Sequence, residues 1–213
     1  MTGNYIIGID EVGRGPLAGP VVVAALLVPQ GTRIGNRRLG RLRDSKQLSE
    51  QKREEWSSYL RTEKNLYFAI AAVRPRVIER INISRAANRA ALRAYRGLLR
   101  RRPSLTRSRC RIVLDGGLFL GDAKKPLSKH HTTKTIVRGD EKVPAIAMAS
   151  IIAKVYRDRL MKRLAKKYPG YGFEEHKGYG TRQHLKAIAR LGATDAHRLT
   201  FLSPSSTIKS EID

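Results

Sequence analysis

The fold is decided by the stretch from residue 5 to residue 29, which reads YIIGIDEVGRGPLAGPVVVAALLVP. Its first part, 5–9, is a short apolar run rich in β-branched residues, and it predicts a strand that ends in two acids, Asp10 and Glu11. The second part, 21–28, is continuously apolar, which predicts a strand buried on both faces, with a buried helix as the alternative. Because only a glycine-rich turn separates the two runs, we expect them to form an antiparallel pair.

Outward from this pair, the chain alternates segments of helical and strand-like pattern. Helices are predicted from Ser49 to about Lys64 and over 84–99, 144–167 and about 181–191, strands over 66–73, 111–115 and 132–137, and a solvated loop over 31–44. This order predicts an α/β fold in which helices cover a mixed β-sheet and a helical C-terminal extension follows.

Two of the predicted helices carry an apolar stripe that should face the core. In the helix over 84–99 the stripe is Ala87, Ala91, Tyr95 and Leu98. In the helix over 144–167 it is Ala149, Ile152, Ala153, Tyr156, Leu160 and Leu164.

The composition points to a polyanionic partner. The 213 residues include 43 Lys and Arg against 18 Asp and Glu, a net charge of +25, and 41% of residues are hydrophobic, enough for a sizeable core. Nucleic acid is the simplest such partner, and an anionic membrane surface is the alternative on charge alone. The single cysteine, Cys110, excludes an intrachain disulfide. The longest apolar run is far shorter than the about 20 residues of a spanning helix, and no export signal is visible, so we expect a cytoplasmic protein that is not inserted in a membrane.

Four acids stand out in so basic a chain: Asp10, Glu11, Asp115 and Asp140. Each follows a strand-like run and has a glycine close by. If these strand ends converge, the carboxylates need divalent cations to offset their repulsion, and oxygen ligands favour Mg²⁺ or Mn²⁺. Neighbouring strand residues point to opposite faces, so Asp10 and Glu11 share a site only if the backbone turns there. The alternative for each acid alone is a solvated strand end, a turn or a helix start.

Two glycine-containing segments could contact a ligand. In Gly13-Arg14-Gly15 the glycines let the backbone approach a ligand closely, and the arginine between them can bind a phosphate. Tyr179, flanked by glycines in a basic loop, could stack on a sugar or base. The alternatives are a tight turn with a surface arginine and ordinary loop packing.

The histidines give no metal-binding pattern. We expect His130 and His131 to lie in a solvated loop, and His176, His184 and His197 lack the spacing of metal ligands.

Several segments, in chain order, resemble one known family. They are Ile9–Pro20, Asp44–Ser49, Leu114–Gly116, Arg138–Asp140, Ala147–Asp158, His176–Thr181 with His184, and His197–Arg198 with Phe201. Together they resemble the signatures of ribonuclease HII, the type 2 ribonuclease H, over roughly residues 5 to 201, and the wording of the first segment is similar to bacterial members. Arg138 stands where many members have lysine.

The resemblance implies roles for particular residues. Asp10, Glu11, Asp115 and Asp140 match the four catalytic acids that bind metal. Gly13, Arg14 and Gly15 match the loop that senses a ribose 2′-hydroxyl, Tyr179 matches a tyrosine that packs on the deoxyribose beyond the scissile phosphate, and Lys46 matches a lysine near backbone phosphates. Asp158 matches a family position that we interpret as structural, paired with Arg157 or Arg159.

The resemblance also implies the fold and the activity. Residues 1–167 would form a ribonuclease H-like catalytic domain, and 168–213 a substrate-contacting extension with a short tail on the same domain. The expected activity is Mg²⁺- or Mn²⁺-dependent cleavage of the RNA strand of RNA–DNA hybrids, and nicking of duplex DNA on the 5′ side of an embedded ribonucleotide, with 3′-hydroxyl and 5′-phosphate ends. We expect a monomer.

Two other functions compete with this hypothesis. A non-catalytic nucleic-acid-binding protein would satisfy the charge, and it predicts binding that needs no Mg²⁺ and survives Asp10→Asn. A different nuclease of the same fold, such as a junction resolvase, predicts cutting of branched all-DNA substrates.

Overall fold

Two long strands near the start of the chain form the centre of the protein. The computed structural model describes residues 4–32, 35–36, 39–42, 48–120 and 127–202. Strand β1 (Asn4–Val12) pairs antiparallel with β2 (Val21–Pro29), so that Tyr5 lies opposite Pro29 and Val12 opposite Val22. The predicted antiparallel pair is therefore confirmed.

A five-stranded mixed sheet grows from this pair in the order β5-β2-β1-β6-β7. The added strands are β5 (Tyr67–Val73), β6 (Arg109–Asp115) and β7 (His131–Ile136), and β1, β6 and β7 run parallel to one another. Parallel strands end at the same edge of a sheet. The carboxyl ends of β1 and β6, with their acids, are thereby brought side by side.

Helices cover both faces of the sheet, as predicted for the α/β class. Their bounds are α1 Glu50–Thr62, α2 Pro75–Ile81, α3 Ile83–Arg101, α4 Gly139–Lys142, α5 Pro144–Lys167, α6 Phe173–His176 and α7 Arg182–Leu191. The core on one face is built around α3, and the core on the other around α1 and α5. Among the described residues, no helix has the length and apolarity required to cross a membrane.

Some short elements were not predicted. Helices α2 and α6 and the two-residue strands β3 (Gly35–Asn36) and β4 (Gly40–Arg41) lie where we expected a break or a loop. Each is too short to give a periodic pattern, so the sequence carries no signal for it. Helix α1 begins as predicted, because the Ser49 side chain accepts a hydrogen bond from the Lys52 amide.

Helix α3 separates an apolar face from a basic one. All four residues of its predicted stripe are buried in the core. Five arginines on the opposite side are exposed: Arg85, Arg89, Arg93, Arg96 and Arg100. We call these five residues the arginine face of α3.

Helix α5 packs unusually close to the sheet. A Cβ atom placed on Gly8 of β1 would lie 2.1 Å from the carbonyl carbon of Ala145. The second half of the predicted α5 stripe, Tyr156, Leu160 and Leu164, packs against the cores but is only partly buried, and Arg157 and Met161, which were not predicted, are buried beside it. Arg157 is buried because backbone carbonyls of the turn between β1 and β2 accept its hydrogen bonds, and Met161 is buried because the segments after the helix pack on it.

The C-terminal segments form a third small core against β1–β2. Tyr171, Phe173, Ala187 and Ala196 pack with Ala18 and Met161. The Gly178 carbonyl accepts hydrogen bonds from the Leu17 and Ala18 amides at 2.8 and 3.2 Å. These contacts place the loop after α6 beside the glycine-rich turn that follows β1.

Candidate active site

Three carboxylates meet where β1 and β6 end. Asp10, Glu11 and Asp115 each offer one carboxylate oxygen, and these oxygens lie within 4.8 Å of one another. Asp10 is buried, and the other two are partly buried. Three of the four predicted acids are therefore brought together from strands that lie about 100 positions apart in the sequence.

Asp10 and Glu11 are neighbours in β1, and both contribute to the cluster although the strand does not turn between them. The condition that the backbone turns at the acids is not met, because strand β1 continues to Val12 and the chain leaves the strand only at Gly13. Pairing of β1 with β6 stops earlier, at Ile9 and Leu114. The Glu11 amide then donates to Asp10 Oδ1 at 2.8 Å. Because the ladder has ended, carboxylates from both faces of β1 can meet at the open edge.

Burial opposes ionisation of the cluster. Desolvation, together with the charges of Glu11 and Asp115, raises the pKa of Asp10 from 3.8 to about 8, against the lowering effects of a Ser150 hydrogen bond and the Lys154 charge. Desolvation likewise raises the pKa of Glu11, although Arg14 lowers it. Neighbouring carboxylates repel one another when they ionise, so a bound cation would stabilise the ionised cluster.

The residues present fit a divalent metal. Every ligand atom is a carboxylate oxygen, which suits hard cations such as Mg²⁺ or Mn²⁺. Glu11 Oε2 is buried and accepts no hydrogen bond from any described residue. An acceptor in that position costs free energy unless a donor or a cation reaches it.

Asp140, the fourth predicted acid, lies next to this cluster but outside the group of three. It is buried in the short helix α4, which follows β7. The preceding residue, Gly139, donates its amide hydrogen to Asp115 Oδ1 at 2.6 Å. The backbone thus ties Asp140 to the cluster, and its role as a ligand remains a prediction.

The Gly13-Arg14-Gly15 loop lies directly beside the acids. Gly13 has φ of +89°, a conformation that favours glycine. The Arg14 guanidinium donates to Glu11 Oε1 at 3.2 Å and to Ser84 Oγ, at the start of α3, at 3.1 Å. A Cβ atom on Gly15 would meet no atom within 4 Å, so this part of the loop is open.

Two buried arginines hold the carbonyl groups of this loop. Arg198 donates to the carbonyls of Gly13, Arg14 and Gly19 at 2.6 to 3.1 Å. Arg157 donates to the carbonyls of Ala18 and Pro20 at 3.2 and 3.1 Å. Both side chains are almost fully buried.

This arrangement determines where the loop amides point. In a planar trans peptide, the N–H of one residue points opposite to the preceding C=O. The carbonyls of Gly13 and Arg14 face Arg198, so the amides of Arg14 and Gly15 face away from it. Neither amide donates to any residue that the structure describes. Two neighbouring donors are thereby offered to a ligand beside the acids.

The role of the two arginines was not predicted. We expected Asp158 to pair with Arg157 or Arg159. It pairs instead with Arg53 at 3.7 Å, and Arg159 pairs with Glu54. One signal was available: Arg157 follows Ala153 by four residues and precedes Met161 by four, which places it on the buried face of α5.

Tyr179 is placed where it could contact a ligand of this loop. Its side chain is 46% exposed, and the Arg157 guanidinium lies 5.9 Å from the centre of its ring. The preceding residue, Gly178, is hydrogen-bonded to the segment that follows the Gly13–Gly15 loop. Lys46, the remaining predicted contact residue, lies outside the described residues.

A chain of buried histidines supports the Tyr179 loop. The Thr194 amide donates to His197 Nδ1, so His197 carries its proton on Nε2 and donates it to His184 Nε2 at 3.2 Å. His184 then donates from Nδ1 to the Tyr179 carbonyl at 2.9 Å. His176, stacked on His184, donates to the Tyr171 carbonyl and accepts from the Gly178 amide. Every ring nitrogen is used with all three imidazoles neutral.

We expect these buried histidines to lower the stability of the folded protein in acid. Burial lowers the pKa of His184 from 6.5 to about 4 and lowers that of His197. Between these pH values the unfolded chain binds protons that the folded protein does not, so the free energy of unfolding falls as the pH drops from about 6.5 to 4. His184→Gln lacks the part of this dependence that His184 contributes. Urea unfolding should therefore show a destabilisation by His184→Gln that is smaller at pH 4.5 than at pH 7, and an equal value at both would contradict the assignment.

Comparison with known proteins agrees with this geometry. The family model "Ribonuclease HII" matches residues 7–203. A ribonuclease HII of Bacillus cytotoxicus is 45% identical over 209 residues, which is 98% of this chain and 73% of that protein. The crystal structure of ribonuclease H2 from Pyrococcus horikoshii OT3 superposes with a TM-score of 0.70 at 25% identity, over 92% of this chain and 93% of that one.

The fold is also shared with a more distant ribonuclease. The structure of Bst-RNase HIII in complex with Mn²⁺ has a TM-score of 0.64 at 20% identity, over 93% of this chain and 67% of that one. The family match covers nearly the whole chain, and the acid cluster, fold and sequence identity agree with it. The chain therefore belongs to the ribonuclease HII family of metal-dependent endoribonucleases.

Proposed function

We propose that this ribonuclease H cuts the RNA strand of RNA–DNA hybrids and nicks duplex DNA on the 5′ side of a single embedded ribonucleotide. The products would carry 3′-hydroxyl and 5′-phosphate ends. The observation that carries the proposal is the pair of outward-facing amides, Arg14 N–H and Gly15 N–H, beside the three carboxylates. A ribose 2′-hydroxyl can accept from such donors, and a deoxyribose cannot.

The residues of the acid cluster would hold the metal. We propose Asp10 as the ligand common to two ions, Glu11 and Asp115 as ligands of one, and Asp140 as a ligand of the other. Bound Mg²⁺ or Mn²⁺ supplies an activated water and charge stabilisation for phosphodiester hydrolysis. The Mn²⁺ bound by the related Bst-RNase HIII supports an ion of this class. Neither a serine nor a cysteine nucleophile is needed.

The surrounding residues would position the substrate without reading its bases. The backbone amides of the Gly13–Gly15 loop contact the sugar, which is the same for every base. Arg14 and Lys46 would contact phosphates. The extension over 168–213 contributes Tyr179, whose ring would pack on the deoxyribose beyond the scissile phosphate.

The proposal is tested with duplex DNA that carries one ribonucleotide. We expect a nick on the 5′ side of the ribonucleotide with Mg²⁺ or Mn²⁺, no nick with chelator, and no cutting of an all-DNA duplex or an all-DNA branched junction. Tight binding without cutting would instead support a nucleic-acid-binding protein, and cutting of the branched junction would support a resolvase.

We expect Tyr179→Ala to reduce kcat/KM at a single ribonucleotide by about 5-fold or more, because the lost contact of the ring with the deoxyribose should be comparable to that of an aromatic ring stacked on a base, about 1–3 kcal/mol. The ring is half exposed, so the free energy of unfolding should change by less than about 0.5 kcal/mol. Tyr179→Phe keeps the ring and is the matched control. If Tyr179→Ala cuts as fast as the wild type, the tyrosine does not contact the substrate.

We further propose that the protein acts as a monomer in the cytoplasm. All residues of the proposed site come from one chain, and its one cysteine, Cys110, is buried and unpaired, as suits a reducing compartment. Sedimentation at micromolar concentration tests the oligomeric state, since a single species near 23.9 kDa is expected.

A further inference from the structure

The arginine face of α3 is a row of charges with no acidic counterpart. Its five members, Arg85, Arg89, Arg93, Arg96 and Arg100, are separated by four, four, three and four residues, which places them along one side of the helix. Helix α3 contains no acid. Among the described residues, none of the five side chains forms an ion pair or a hydrogen bond.

Several other cations of this protein are paired within the fold. On the opposite side of the sheet, α5 and α1 are joined by the pairs Arg159–Glu54 and Lys162–Glu50. At the end of α3, Arg102 stacks on Tyr67. The acid of α2, Glu79, accepts two hydrogen bonds from Thr200. The arginine face differs from these paired cations, because its five side chains are left to solvent.

A row of this kind costs folding free energy. Like charges at i and i+4 on a helix destabilise it by about 0.2–0.5 kcal/mol for each pair. The repulsion disappears when a polyanion lies along the row, because each arginine can then bind a phosphate.

The arginine face begins at the proposed site. Ser84, the residue before Arg85, accepts a hydrogen bond from the Arg14 guanidinium at 3.1 Å. Asn88, between Arg85 and Arg89, accepts from the Phe119 amide in the segment after Asp115. From Arg85 to Arg100 the helix rises about 22 Å, the axial length of about 6 base pairs.

We propose that the arginine face of α3 binds the phosphate backbone of the duplex on one side of the cleavage site, over about 6 base pairs. The inference rests on the proposed function, because it assigns the duplex flank of that same substrate. The contacts are with phosphates only, so they increase affinity without adding sequence preference.

The test is the triple variant R89Q/R93Q/R96Q, compared with K64Q/R163Q/K166Q. Both remove three exposed positive charges, but the second set lies on or next to α1 and α5. Glutamine keeps helix propensity, so both variants should unfold close to the wild-type temperature, and the arginine-face variant at or above it because like-charge repulsion is removed. The substrate is a 24-base-pair duplex with one central ribonucleotide.

For the arginine-face variant we expect KM to rise about 10-fold at physiological salt, with kcat unchanged, and the salt slope of log KM to fall by about 2–3. The control variant should change KM less than about 2-fold. Its charges lie away from the proposed contact with the duplex, and salt screens their interaction with the phosphates. Shortening the duplex to three base pairs on the flank that the arginine face binds should abolish the difference in KM between the two triple variants. Shortening the opposite flank should leave that difference unchanged.

Equal effects of both triple variants, or a difference that persists with both flanks short, would overturn the inference. Wild-type cutting of the same duplex tests the proposed function separately. If the wild type does not cut the duplex, fluorescence anisotropy can measure how the wild type and the two triple variants bind the full and the shortened duplexes. This measurement still decides whether the arginine face binds the duplex.

Discussion

Asp10→Asn is expected to reduce cleavage of a ribonucleotide-containing duplex by at least about 1,000-fold, which corresponds to about 4 kcal/mol of transition-state stabilisation. Asp10 is the most buried member of the three-carboxylate cluster. Asparagine has a similar shape, but its amide lacks the negative charge that holds a divalent cation. Binding to the duplex should persist, because the loop amides and the basic surface are unchanged. Cutting at the wild-type rate would refute a metal-binding role for Asp10.

The same variant should stabilise the metal-free protein, which separates a missing ligand from a misfolded chain. Burial and the neighbouring carboxylates raise the pKa of Asp10 from 3.8 to about 8. Between these values the folded protein retains a proton that the unfolded chain releases, so the free energy of unfolding of the wild type falls as the pH rises. Asparagine does not ionise.

In chelator at pH 8 we therefore expect Asp10→Asn to melt higher than the wild type, by about 2–4 °C for each kcal/mol gained. The difference should shrink towards pH 4, where Asp10 is protonated in the folded protein. Added Mg²⁺ or Mn²⁺ should raise the melting temperature of the wild type and not that of the variant. A variant that melts lower at pH 8 would contradict the electrostatic account of the cluster.

Gly8→Ala is expected to destabilise the protein by about 3 kcal/mol or more, because the added methyl group overpacks a contact that cannot relax locally. Its Cβ would lie 2.1 Å from the Ala145 carbonyl carbon and oxygen, both of which are backbone atoms. Helix α5 must therefore move away from β1 as a body. Urea unfolding of metal-free protein measures the loss.

Gly15→Ala is the matched control for that loss of stability. A Cβ on Gly15 meets nothing within 4 Å, and the residue does not have a positive φ. We expect its free energy of unfolding to change by less than about 0.5 kcal/mol. If Gly8→Ala is as stable as Gly15→Ala, α5 does not pack on β1 as closely as described.

The main features of the fold could be predicted because they depend on local patterns. The continuous apolar run of β2, the capping serine before α1 and the proline that begins α5 each act over a few residues. The acids at the ends of β1 and β6 were predicted to form a cluster only if their strand ends converge, and the parallel pairing of β1 with β6 meets that condition. The sequence could not show that the β1–β6 ladder stops at Ile9, which is what lets Asp10 and Glu11 meet.

Polar groups that are held by tertiary hydrogen bonds were a source of error. His131 was expected in a solvated loop, but it lies in β7, where its ring accepts from the Tyr95 hydroxyl and donates to the Leu105 carbonyl. Arg157 and Arg198 are buried because backbone carbonyls of a distant loop surround them. Such partners are defined only by the tertiary structure, so charged residues of this kind are assigned to the surface from their charge, even where the spacing places one of them, Arg157, on the buried face of its helix.

The bonds from Arg198 also bear on the order in which the protein matures. Arg198 lies 185 positions after Gly13, whereas the three clustered acids all lie in the first 115 residues. A chain that folds as it leaves the ribosome thus completes its acid cluster well before it can fix the loop amides. Contacts across so long a span also close slowly. With the roles proposed above, the metal-binding acids would assemble before the loop amides are fixed, and selectivity for ribose would be among the last properties that the newly made protein acquires.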